Sequence, residues 1–273
     1  MFKDRIWWIT GASSGIGAAL ARALAAKGAA LILSGRNVAA LDTVAAACGG
    51  DTLVLPFEAS DIDALPAIAA QAWGWRGRVD GLVNNAGISQ RSLAVDTDMA
   101  VYRRIIDVDL LAPIALAQAN LPRMIAAGGG HIVAVSSVAG VAGIPMRTAY
   151  CAAKHGIFGY HDAVRAENEH LGLNVLVVAP GSIRTNVSRN ALNGDGSARG
   201  TSDKAIDNGI DPADAAARMI EAIENGAREL FIAEGMEAAI PGLRRTDPDA
   251  LFDRMSAMVQ AGYAGKMAAK SDA

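Results

Sequence analysis

The chain has 273 residues, of which 52% are hydrophobic and 19% charged, with a formal net charge of −3 at pH 7. A chain this apolar is not intrinsically disordered, and its length buries a sizeable core. The small negative charge offers no basic surface, so nucleic acid is not expected as a partner.

Taken in chain order, Ile6 to Thr10 is an apolar run of strand type, and Gly11 to Gly17 is a Gly/Ser turn. Ile16, Leu20 and Leu24 then recur at a helical spacing of four, and Gly28 sits where such a helix would be capped. Ala30 to Leu33 is a second strand, ending at Ser34-Gly35-Arg36, so the chain opens as a β-α-β unit. Leu53 to Phe57, Gly81 to Asn84, His131 to Ser136, Val175 to Ala179 and Glu229 to Ala233 read as five further strands. Helical patterns cover Leu65 to Trp73, Tyr102 to Ala126 (interrupted by Pro113 and Pro122) and Thr148 to Glu169.

The strands are apolar throughout rather than alternating, which is the pattern of a sheet covered on both faces. The fold class expected is therefore α/β, doubly wound, with a mostly parallel sheet of about seven strands and helices on both faces. No linker or repeat divides the chain, so residues 1–273 are expected to form one domain. Residues 186–210 are rich in Gly, Ser, Asn and Asp, and fit a substrate lid or a plain surface insertion equally well. Residues 236–263 read as a C-terminal helical extension, packing over the pocket or on another subunit. Residues 264–273 are expected to fray.

The turn Gly11-Ala12-Ser13-Ser14-Gly15-Ile16-Gly17 joins a strand to a helix. Gly11 suits the sharp turn, Gly15 a close approach to a pyrophosphate, and Gly17 tight packing of helix on sheet. The helix start adds unpaired N–H groups that favour an anion. At the end of the second strand an acid would bond the ribose 2′-hydroxyl of NAD; Gly35 and Arg36 stand there instead. A guanidinium pairs with a 2′-phosphate, so NADP(H) is expected over NAD(H), with NAD(H) still possible.

Tyr150 and Lys154 lie one helical turn apart and share a face. A free tyrosine, with a pKa of about 10, is a poor base at neutral pH, and a neighbouring ammonium favours its phenolate. Ser137, at the end of the fifth strand, can bond a carbonyl oxygen. A lone Tyr-x-x-x-Lys is usually a helix-surface pair, so it carries weight only in company.

That company is present. Thr10-Gly-Ala-Ser-Ser-Gly-Ile-Gly17, Asn84-Asn-Ala-Gly87, Ser136-Ser137, Tyr150-x-x-x-Lys154 and Pro180-Gly181-x-x-x-Thr185 occur in this order. From Lys3 to Ala233 the chain resembles the short-chain dehydrogenase/reductase family, in its single-domain, NADP-preferring branch. The resemblance implies a Rossmann fold and hydride transfer between a nicotinamide and a ketone or secondary alcohol. It implies that Tyr150 is the general acid/base, that Lys154 tunes it and binds the nicotinamide ribose, and that Ser137 holds the substrate oxygen. It places Ser13, Ser14, Ile16, Asn85, Ala86 and Gly87 at the cofactor, with Pro180, Gly181, Ile183 and Thr185 around the nicotinamide. Glu58 takes the place of the family's usual Asp near adenine, followed by Ala59.

One position departs from the family. Asp109, in Ile106-Asp107-Val108-Asp109-Leu110, stands where the family carries a catalytic Asn. Asn both donates and accepts hydrogen bonds, whereas ionised Asp only accepts. Either Asp109 is protonated, or the proton relay is rewired, or activity is weak. An anion there offsets the charge of Lys154, which predicts an upward shift of the pH optimum. The departure is also the one support for an alternative, a nucleotide-binding sensor or scaffold of the same fold with weakened catalysis.

Other residues are read as packing. His131, His155, His161 and His170 lack metal-ligand companions, so no metal is expected. Trp7 and Trp8, Cys151, and Met255, Met258 and Val259 fit core positions. Ile144, Met146 and Leu192 suggest an apolar substrate body. Arg147, Arg184 and Arg189 are weak candidates for the basic patch of an acyl-carrier-linked reductase. Lys3, Asp4 and Arg5 lead straight into the first strand, with no signal-peptide pattern, and no apolar run reaches the roughly 18 residues of a membrane span. Cys48 and Cys151 form no disulfide framework. These features predict a cytoplasmic protein with no membrane partner, a small carbonyl or alcohol substrate, and assembly as a homodimer or homotetramer.

Overall fold

The computed structural model describes residues 1–268. In chain order it contains β1 (Ile6–Thr10), α1 (Gly15–Ala26), β2 (Ala30–Ser34), α2 (Val38–Cys48), β3 (Thr52–Val54), α3 (Leu65–Arg76), β4 (Gly81–Asn84), α4 (Met99–Ile106) and α5 (Ala112–Ala126). Then follow β5 (Gly130–Val135), α6 (Thr148–Asn168), β6 (Leu173–Pro180), α7 (Lys204–Asp207), α8 (Pro212–Glu224) and β7 (Glu229–Ile232). Three helices close the described chain: α9 (Gly235–Thr246), α10 (Pro248–Gln260) and α11 (Tyr263–Ala268).

The strands pair in the order β3-β2-β1-β4-β5-β6-β7, and every pairing is parallel. Successive side chains point to opposite faces, so each strand feeds two cores. Trp7, Ile9, Leu31, Leu33, Val83 and Val133 pack with α1, α2 and α8. Ile6, Trp8, Ile32, Leu82, Ile132 and Val175 pack with α3, α5 and α6. This double burial explains the continuously apolar strands. Both tryptophans lie inside it, and the Trp8 indole donates to Ser34 Oγ at 2.8 Å.

Local departures from the sequence reading have physical causes. Helix α2, which the sequence reading left without an element, buries only Leu41 and Val44, so its apolar stripe is narrow; Asn37 caps it through Ala40 N–H at 3.1 Å. Strand β3 stops at Val54, short of Phe57, where Pro56 offers no N–H to the ladder. The pattern from Tyr102 onward is not interrupted at Pro113. Helical structure runs from Met99 to Ala126, with a π register over Asp107–Leu111 in which Ala112 N–H bonds the Asp107 carbonyl. Pro113 has no N–H for the Asp109 carbonyl, and a wider turn accommodates that loss. This run is long and apolar enough, by length and composition, to cross a membrane, contrary to the sequence estimate. Here it buries Ala112, Leu116, Ala117 and Met124 in the second core.

The C-terminal helices pack on their own chain. Ile240, Leu243, Leu251 and half-buried Met255 meet Val141, Ala142 and Ile144 after β5. Met258 and Val259, expected in the core, are exposed: they follow Leu251 and Met255 on the same side of α10 but lie beyond the end of this cluster. Of the tail expected to fray, the part up to Ala268 belongs to α11, and residues 269–273 lie outside the described residues.

Candidate active site

Parallel strands bring all their C-terminal ends to one edge, and the strand order reverses between β1 and β4. The turn after β1, Arg36 after β2, Asn85-Ala86-Gly87 after β4, Ser136-Ser137 after β5 and Pro180-Gly181 at the end of β6 all emerge there. They surround a cavity of ≈ 280 Å³. Every site residue named from the sequence lines it except Gly17, which is buried in the wall. Gly35, Phe57, Ile88, Arg104, Val108, Val135, Ser136, Asn186, Val187, Asn190 and Ile206 also line it, and the site assignment above lacks them.

The turn is built for close approach. Gly11 and Gly15 have φ of +65° and +54°. A Cβ on Gly11 would lie 2.8 Å from Ala86 Cα, and one on Gly15 would lie 2.8 Å from Thr185 Cγ2. Ser14 caps α1 without using its side chain, and the first turn holds no acid, so its N–H groups and partial positive charge stay available to an anion. Asn85 locks the switch point: its Nδ2 donates to the Thr10 carbonyl at 3.0 Å, and Thr10 Oγ1 accepts from Asn85 and Ala86 N–H at 3.0 Å each.

Helix α6 presents Tyr150 and Lys154 together, with Nζ 5.5 Å from the Tyr150 ring centre. Lys154 Nζ donates to the Val135 carbonyl at 3.0 Å, and Ser136 Oγ braces the helix through the Lys154 carbonyl at 2.8 Å. Ser137 Oγ donates to the Pro180 carbonyl at 3.2 Å and accepts from Ala139 N–H at 3.1 Å. Asp109 is fully buried in the π turn. Its Oδ1 accepts from Ile88 N–H at 2.8 Å, and its Oδ2 lies 3.2 Å from Lys154 Nζ. Burial pushes the Asp109 carboxyl up, and Lys154 and the Ile88 N–H offset this only in part. Burial works against the Lys154 ammonium, but Asp109 and Tyr150 outweigh it and hold its pKa above the usual lysine value. The side chain of Asp109 thus stands directly against the lysine.

At the other end, Arg36 is exposed, with Nη1 3.6 Å from Glu58 Oε2. Arg104 Nη2 lies 3.3 Å from the same oxygen, and Ser60 N–H donates to Oε1 at 3.1 Å.

Residues 186–210 contribute Asn186, Val187, Asn190 and Ile206 to the cavity and are anchored through Asp203. Asp203, 5% exposed at its side chain, accepts from Arg91 at 2.7 and 2.9 Å, from Arg199 at 2.5 Å and from Arg147 at 3.4 Å. Gln90, also buried, accepts from Ala149 N–H at 2.8 Å and so ties the loop after β4 to the start of α6. Arg147 is therefore engaged and Arg184 pairs with Asp211, so two of the three arginines named as candidates for a basic patch already have acidic partners. Ile144, Met146 and Leu192 do not line the cavity; Ile144 packs beneath the C-terminal helices. Cys151 is buried outside it. His161 is buried against the Ile157 carbonyl, and burial lowers its pKa to about 4. Among the described residues, no group of three or more His, Cys, Asp or Glu is placed to hold a metal.

Comparison with known proteins bears on this arrangement. The family model described as short chain dehydrogenase matches residues 5–195. The chain is a short-chain dehydrogenase/reductase. Dehydrogenase/reductase SDR family member 7B of Danio rerio is 38% identical to it over 97% of this chain and 88% of that protein. The crystal structure of a short-chain dehydrogenase from Streptomyces avermitilis superposes with a TM-score of 0.79 at 28% identity, covering 96% of this chain and 98% of the other. A metagenomic short-chain oxidoreductase solved in complex with NADP gives a TM-score of 0.71 at 31% identity, covering 86% of this chain and all of that one. This short-chain dehydrogenase/reductase is thus an oxidoreductase of a family that binds NAD(P), acts on small molecules and is typically oligomeric.

Proposed function

We propose that the chain is an NADP(H)-dependent oxidoreductase that interconverts a ketone and a secondary alcohol. The observation that carries this reading is the convergence of Ser137, Tyr150 and Lys154 on the cavity that also holds the glycine turn and Arg36. The cavity fits a dinucleotide in character: uncapped N–H groups at α1 for a pyrophosphate, a guanidinium at the adenosine side, and a lysine beside the tyrosine at the reacting side. Gly11, Ser13, Ser14, Gly15, Ile16, Arg36, Glu58, Ala59 and Asn85 to Gly87 would hold its adenosine and phosphate portions. Pro180, Gly181, Ile183, Thr185 and Lys154 would hold the nicotinamide portion. When bound, the nicotinamide supplies or accepts the hydride.

The protein's own groups do the rest. Ser137 Oγ, held by Ala139 N–H, turns its one proton from the Pro180 carbonyl to the substrate oxygen. Tyr150 donates its hydroxyl proton to that oxygen in reduction and takes a proton back in oxidation. Lys154, fixed by the Val135 carbonyl, keeps a positive charge near the phenol. Val187 and Ile206 put apolar surface from residues 186–210 against the substrate side and keep water away. Assembly as a homodimer or homotetramer is inferred through the long helices, where Leu111 is exposed.

The direct test is Tyr150→Phe. It is expected to lower kcat at least about 10³-fold on a panel of ketones, in line with loss of a general acid, while NADPH still binds. A variant with turnover near that of the parent would refute the role given to Tyr150.

A further inference from the structure

Glu58 lies on the β2–β3 side of the switch point, where the reading above places the 2′-phosphate of NADP(H). Its two oxygens have different partners. Oε1 is turned onto Ser60 N–H at 3.1 Å. Oε2 faces two guanidinium groups, Arg104 at 3.3 Å and Arg36 at 3.6 Å. A phosphate arriving at Arg36 would meet this carboxylate, which repels it and competes for the same cation. Arg104 comes from α4, a different element, and no sequence motif marks it. Its contact is the shorter of the two and meets hydrogen-bond geometry.

We propose that Arg104 is a specificity-determining residue for 2′-phosphorylated nucleotides, acting as the standing counter-ion of Glu58 and so releasing Arg36 to the phosphate. Two cations and one anion leave this end of the cavity with one net positive charge. Remove Arg104 and the end becomes neutral, with Arg36 drawn onto Glu58. The role rests on the NADP(H) reading, and it differs from that of Arg36 in a testable way. Arg104 matters only because Glu58 is charged, so neutralising Glu58 makes Arg104 dispensable.

The experiment titrates NADPH and NADH by nicotinamide fluorescence at low salt against the parent, Arg104→Ala, Glu58→Gln and the double variant. Both substitutions are at half-exposed side chains, and circular dichroism checks the fold of all three variants. Arg104→Ala is expected to weaken NADPH binding about fivefold, the scale of an exposed charge pair, with NADH within about twofold of the parent. Adding Glu58→Gln is expected to restore most of that loss, and roughly 0.5 M salt to shrink the Arg104→Ala effect. An NADPH affinity indifferent to Arg104→Ala overturns the proposal. So does a loss that Glu58→Gln fails to restore, which would mean that Arg104 touches the phosphate itself or only packs. A parent protein without NADPH preference overturns the NADP(H) reading, and this proposal with it; the first two outcomes leave that reading standing.

Discussion

Asp109 puts a buried carboxyl group 3.2 Å from Lys154, the residue proposed to tune Tyr150. A charge on Lys154 that is shared with Asp109 is weaker as seen from the phenol. With asparagine at the same place the full field of the ammonium reaches Tyr150, and the basic form of the site is reached at lower pH. Asp109→Asn is therefore expected to move the rising limb of the kcat/KM–pH profile for alcohol oxidation to lower pH. A profile that does not move would mean that Asp109 leaves the proton transfer untouched. Single residues were legible in the sequence to unequal degrees. Tyr150 and Lys154 stand out because one helical turn separates them, and Asp109 because it breaks a motif. Arg104 left no trace, since its partner Glu58 is 46 residues away and only the fold brings them together.

At the scale of elements, residues 186–210 show what composition conceals. Glycine, serine, asparagine and aspartate mark an irregular segment, and composition gives no sign that Asp203 is buried. In the fold Asp203 is buried among Arg91, Arg147 and Arg199, and joins this segment to the loop after β4 and to the start of α6. The arginines hold its carboxyl below the usual carboxylate range in spite of the burial that pushes the other way. Removing the shared anion would leave buried guanidinium groups facing one another. Asp203→Ala is expected to destabilise the protein by about 3–5 kcal/mol in urea denaturation, the range for breaking a buried ion pair. A change within about 0.5 kcal/mol, as for an ordinary surface site, would contradict the anchoring role. The helix from Met99 to Ala126 was legible as a helix but not in its detail. Pro113 was read as an interruption, whereas the π register absorbs it and sets Asp109 in the wall of the cavity.

For the molecule as a whole, the order of apolar runs and helical patterns sufficed to predict a parallel, doubly wound sheet, because strands buried on both faces cannot alternate. The glycine turn and the residues at the strand ends then converge of necessity, since parallel strands share one C-terminal edge. Which residues of 186–210 meet the cavity was not legible: Val187, Asn190 and Ile206, like Ile88 after β4, are placed by long-range contacts such as those of Asp203. The same architecture sets the central claim, that an anion-accepting turn and Arg36 at one end serve Tyr150 at the other through an NADP(H) molecule. Titration of the purified protein with NADPH and with NADH, followed by nicotinamide fluorescence, tests it most directly. The account predicts NADPH binding at least about tenfold tighter, the effect of a charge-assisted phosphate contact. NADH binding as tight or tighter would contradict it.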